Sequence, residues 1–193
     1  MNGVWRALQL SNSVRLDSNQ RIRVGKTTIG AKLAALLKYA FVDLDAEIES
    51  FFGTSIERLR RQCLTPYSFR KEASKALEQV LGREACQDAI IVLPPSGLMD
   101  SYWRVVKRAR GTIVVVRDEP ENILDRIAFY DIDSRPLDRQ LTEEERRLYF
   151  REIRNDISYF GRTYRRAHVT VDIAGLGPND VARQLAAIVS ASS

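Results

Sequence analysis

The sequence predicts a three-layer α/β fold, with a parallel sheet flanked by helices on both faces and a mobile lid. Three observations lead there. From Gly25 onward, segments with helical apolar spacing alternate with short strand-like runs, the order expected of a parallel sheet. Two of those runs, 89–93 and 112–116, are apolar at every or nearly every position, as strands covered on both faces are. A Gly-Lys-Thr-Thr tetrapeptide at 25–28 opens an amphipathic helix, the usual place for a phosphate in such a fold.

The elements follow in order. Residues 26–38 space Ile29, Leu33, Leu36 and Leu37 along one helical face. Residues 40–42 form a short strand ending at Asp43. Helices are expected over 56–62 and 70–86, then a buried strand over 89–93 closed by Pro94-Pro95. A helix over 98–109 leads to the β-branched run 112–116, a central strand by its composition. Residues 119–129 read as a helix and 130–142 as a polar lid. A long charged helix spans 143–160, a last strand 169–171, and a last helix 178–189. Five strands result if one precedes Gly25. The only candidate in 1–24 is an alternation at Val14-Arg15-Leu16, within 14–19, so 1–24 is set apart as an atypical segment and 25–193 is taken as the domain.

Composition excludes several classes. The chain has 193 residues, 45% hydrophobic and 28% charged, the balance of one soluble domain. No run is long and apolar enough to span a membrane, and no secretory leader pattern is present, so a cytoplasmic setting without a membrane partner is expected. Two cysteines, Cys63 and Cys86, cannot make a disulfide scaffold, and the single His168 cannot anchor a His-rich metal site or a Ser-His-Asp triad. The net charge of +5 fits nucleic acid or a small anion. Its densest stretch, 146–166, interleaves arginines with Glu152 and Asp156 and follows Glu143, Glu144 and Glu145, which is a solvated helix face. Nucleic acid is not expected as a partner.

The motifs carry the chemistry. Gly25, Lys26, Thr27 and Thr28 put free N–H groups and a dipole end toward phosphate. Lys26 can reach the terminal phosphates, and the Thr27 hydroxyl can ligate Mg²⁺. Asp43 and Asp45 lie at i and i+2 at a strand end, where alternation would aim both carboxylates to one side. One can hold hydrated Mg²⁺ and the other can take a proton from a hydroxyl.

These motifs in sequence, GKTTIGAKLAALL (25–37), FVDLDAEIESFFGTSIERL (41–59), FRKE (69–72) and SRPL (134–137), resemble the shikimate kinase family, of the nucleoside-monophosphate-kinase-like P-loop group. The resemblance covers roughly residues 25–190. It implies a P-loop kinase fold with a five-stranded parallel sheet and ATP-dependent phosphorylation of shikimate to 3-phosphoshikimate, by a monomer using ATP and Mg²⁺. By the resemblance Asp43 assists Mg²⁺, Asp45 binds and deprotonates the shikimate hydroxyl, and Arg70 clamps the carboxylate. Arg135 belongs to the lid over ATP, and Arg126 lies on the adenine side. Ser96 and Gly97 offer N–H groups to the acceptor, and Arg162, with Arg154 as alternative, is the last carboxylate-binding arginine.

The chain departs from the family pattern at several positions. Gln20 and Arg23 stand where the family loop has glycine, and Pro94-Pro95-Ser96 replaces a strand-end Gly-Gly-Gly. The acid of the family FRxxE pattern falls at Ala73, with Glu72 one position earlier. Arg70 could instead pair with Glu72 or Glu78 on the helix surface. The loop departures imply weak Mg-ATP binding, and the altered acceptor turn leaves two other readings: a kinase of another hydroxylated acid or polyol, or a binding protein without turnover.

Overall fold

The computed structural model describes residues 5–10, 21–23, 25–86, 88–173 and 175–191. Its main sheet holds five strands: β1 (Trp5–Leu10), β3 (Ala40–Asp43), β4 (Ala89–Val92), β5 (Gly111–Arg117) and β8 (Val169–Asp172), in the order β3-β4-β1-β5-β8. Every pairing in it is parallel. A second sheet joins β2 (Arg21–Arg23), β6 (Ala128–Tyr130) and β7 (Pro136–Leu137), all antiparallel.

Alternation along β4 and β5 builds the two faces. Ile91, Ile113 and Val115 pack, with Leu93 just beyond β4, against α2 (Leu44–Phe52), α3 (Ile56–Gln62), α4 (Pro66–Leu81) and α5 (Asp100–Val106). Ile90, Val92, Val114 and Val116 pack on the other side against α1 (Lys26–Leu37) and α8 (Pro178–Ala191). Such strands have no polar face, which is why their sequence shows no alternation. At Gly30 an added Cβ would collide with Val92 Cγ2, so the glycine lets α1 lie close on the sheet. A third cluster, Ile123, Phe129, Tyr149 and Ile153, joins α6 (Pro120–Asp125), β6 and α7 (Glu143–Tyr164) below the lid.

The first strand is not where the sequence pattern suggested. The central slot between β4 and β5 is filled by Trp5–Leu10, and residues 14–19 lie outside the described residues, as does Gln20. Arg23 is extended backbone opposite Ala128, a conformation that any residue adopts and that needs no glycine. The helix expected over 119–129 ends at Asp125, because residues 128–130 pair as β6. The helix expected over 70–86 starts earlier, at Pro66, where Thr65 and Ser68 form a reciprocal cap. Among the described residues no helix is long and apolar enough to cross a membrane.

Candidate active site

The phosphate end of the site is the start of α1. Gly25 is its N-cap with φ 89°, in the left-handed region, and no side chain caps the helix. The first-turn N–H groups at Lys26, Thr27 and Thr28 therefore meet no capping side chain that would compete with an anion. Thr27 Oγ1 donates to Asp43 Oδ2 at 2.6 Å, tying the helix start to the end of β3. A hydroxyl and a carboxylate held this close form an oxygen-donor pair suited to a hard divalent cation.

Asp43 and Asp45 do not share the strand on which alternation would have aligned them. β3 ends at Asp43, whose Oδ1 accepts the Asp45 N–H at 3.0 Å as the N-cap of α2. Asp45 is therefore a first-turn helix residue, held beside Asp43 by the cap itself.

The acceptor end is assembled from α4, α5 and the turn after β4. Arg70 is buried on α4, and its Nε and Nη2 both meet Asp100 Oδ2, at 2.7 and 2.6 Å. This excludes a surface pair with Glu72, which instead binds Lys75 at 2.5 Å. Tyr102 is fully buried, and among the described residues its hydroxyl has no hydrogen-bond partner. Burial, and after it the Asp45 carboxylate, push that phenol well above its ordinary pKa, with Arg60 and Arg70 pulling the other way. The ring thus stands within electrostatic reach of Asp45 and Arg70.

The turn after β4 differs from expectation. The Gly97 N–H donates to Pro94 O at 2.7 Å, and Met99 N–H to Ser96 O at 2.8 Å. Gly97 spends its donor within the turn, because Pro94-Pro95 bends the chain tightly enough to bring that carbonyl to it. Arg162 and Arg154 are exposed on α7. It is Arg166, just past the helix, that reaches this turn: its Nη1 donates to Leu98 O, and its guanidinium lies over Trp103, 4.9 Å from the ring centroid. Sequence reasoning missed Arg166 because nothing local distinguishes it from its neighbours Arg162 and Arg165. It also missed Asp118, nearly buried, which accepts from Glu119 N, Asn122 Nδ2, Gly175 N and Arg126 Nη2. Arg126, expected on the adenine side, is thereby held rigidly, with Nε also on Asn122 O at 3.0 Å.

The turn at 131–135 makes polar contacts with α2 and the start of α3. Ser134, at φ 61°, donates to Glu49 Oε1 at 2.6 Å; Ser55 Oγ donates to Ile132 O at 2.5 Å; Arg58 Nε meets Asp133 Oδ1 at 2.9 Å. Arg135 sits exposed at this turn. The Arg58 hydrogen bond holds Asp133 below the usual carboxylate range. A carboxylate lowered in the docked state supports docking above about pH 4, its free value, and loses that support as pH falls through the lowered value. Docking is therefore expected to be independent of pH around neutrality and to weaken in acid. Arg58→Ala should speed amide exchange at 131–135 by less than about tenfold, since both partners are exposed. Unchanged exchange in that variant would show that the pair does not hold the turn.

A parallel sheet with a glycine-capped helix start and a Thr27–Asp43 pair at it is the arrangement of a P-loop kinase. The comparisons narrow the class. The family model described as shikimate kinase matches residues 23–188. A shikimate kinase from Thermus thermophilus is 30% identical over 162 residues, covering 84% of this chain and 82% of the relative. The chain belongs to the shikimate kinase family. Among solved structures, a shikimate kinase from Bacteroides thetaiotaomicron superposes with a TM-score of 0.72 at 18% identity, over 97% of this chain and 99% of its own. One from Acinetobacter baumannii, in complex with shikimate, gives 0.70 at 18% identity, over 100% and 96%.

Proposed function

We propose that this chain transfers the terminal phosphoryl group of ATP to a ring hydroxyl of shikimate, giving 3-phosphoshikimate. The observation that carries the reading is the Thr27–Asp43 hydrogen bond, which joins the start of α1 to the strand end that caps α2, the helix bearing Asp45. The first-turn N–H groups and Lys26 take the phosphates of ATP, and Arg126 flanks the base. Thr27 and Asp43 would hold Mg²⁺, which when bound offsets the charge of the phosphate oxygens. Arg135 closes on the same phosphates from the lid turn.

Asp45 accepts the proton of the attacking hydroxyl, while the Arg70 guanidinium orients the acceptor by its carboxylate. Phosphoryl transfer needs little covalent help, so positioning and charge supply most of the rate. Ser96 completes the acceptor wall, Arg162, with Arg154 as alternative, is the last arginine for the acceptor carboxylate, and Arg166 supports the wall through Leu98 O.

An ADP-release assay with shikimate and a panel of polyols and other hydroxy acids tests this. Turnover with shikimate, abolished by EDTA and restored by Mg²⁺, is the expected result. Turnover only with another member of the panel would transfer the acceptor assignment to that compound. No turnover with any of them, despite ATP binding, would favour a binding protein. Mg-ATP calorimetry on the same sample, beside a Gln20→Gly/Arg23→Gly variant, is expected to show the variant binding more tightly; equal affinity would mean that β2 absorbs the departure.

A further inference from the structure

Arg70 has lost the acid that its own helix might have provided: Ala73 is fully buried in the core, and Glu72 is committed to Lys75 on the surface. A guanidinium this buried needs a counter-charge, and it comes from thirty positions further along the chain. Asp100 binds the side of the guanidinium, Nε and Nη2 sharing its Oδ2, so that Nη1 has no protein hydrogen bond among the described residues. Asp100 does this from φ 44°, the left-handed region that aspartate tolerates but that is sparsely populated for residues with a side chain. The turn that sets this conformation is the departure already noted, Pro94-Pro95-Ser96-Gly97, closed by its own hydrogen bonds. Asp100 is the first residue of α5, so its contact with Arg70 joins α5 to α4 beside the buried Tyr102.

We propose that Asp100 is a positioning residue for the acceptor: by holding the Nε–Nη2 edge of Arg70, it leaves the Nη1 end of the guanidinium to grip the acceptor carboxylate. The proposal rests on the reading of Arg70 as the carboxylate clamp. An arginine fork has two edges on which it can make paired hydrogen bonds, and fixing one leaves the other preorganised, so less side-chain freedom is lost when the acceptor binds. Asp100 touches no substrate in this scheme and acts through Arg70.

Steady-state kinetics on full-length Asp100→Asn and Asp100→Gly test it, beside Arg70→Ala and the double variant Arg70→Ala/Asp100→Asn. Both new residues tolerate φ 44°, so the backbone is spared. The acceptor KM should rise about tenfold in Asp100→Asn and at least as far in Asp100→Gly. The ATP KM and kcat should stay within about twofold, the mark of lost acceptor binding alone. In the Arg70→Ala background, Asp100→Asn should add nothing further to the acceptor KM. An acceptor analogue with its carboxylate converted to the amide should be insensitive to Asp100→Asn. An unchanged acceptor KM in both Asp100 variants, with a raised one in Arg70→Ala, overturns this proposal alone. So does an equal fall in kcat and in affinity for both substrates, which is the signature of a structural role. An unchanged acceptor KM in Arg70→Ala overturns the clamp reading itself, and this proposal with it.

Discussion

Asp45→Asn is expected to lower kcat for shikimate phosphorylation by about a hundredfold to ten-thousandfold, the range for losing a positioned general base. The substitution keeps the shape of the side chain and removes only its capacity to take a proton. Asp43 would still cap α2 through the Asp45 N–H, and Thr27 would still meet Asp43 Oδ2, because neither contact uses the Asp45 carboxylate. Mg-ATP affinity by calorimetry should therefore stay within about twofold. Retained turnover in Asp45→Asn would remove it from the chemistry; a matching loss of ATP affinity would assign it to the nucleotide side.

Arg70→Ala should weaken acceptor binding by about 2–5 kcal/mol, read as a rise in acceptor KM, because a bound carboxylate would lose its charged partner. Part of the effect falls on the protein itself. Asp100, its side chain only one-third exposed, would lose its counter-charge, so the melting temperature should also drop. Arg70→Lys separates the two effects: it keeps the charge near Asp100 but cannot present a fork to two groups at once. It should recover most of the stability and little of the acceptor affinity. Full recovery of both would show that only the charge matters there.

Much of this site could be read along the chain because its parts are local. Gly25 through Thr28 form one helix turn, and N–H groups without an intrahelical partner are a property of any helix start. Asp43 and Asp45 were found by spacing, although what links them is a helix cap and not the pleat. The apolar strands at 89–92 and 111–117 announced themselves by lacking alternation. The strand that fills the central slot did not. In Trp5–Leu10, Arg6 and Gln9 interrupt the apolar run, and only its pairing with β4 and β5 identifies it.

The sequence by itself determined the class of fold and the family, and it singled out Gly25 to Thr28, Asp43, Asp45 and Arg70 as candidates, since each motif depends on residues within a few positions of one another. Only the tertiary structure decided which charges meet. Asp100 rather than Glu72 partners Arg70, Arg166 reaches the turn after β4, and Glu49, Ser55 and Arg58 bond to residues 132–134. These pairings join residues from 30 to 85 positions apart. Hydrophobic periodicity records which face of an element is buried, but not which element of the folded chain packs against it.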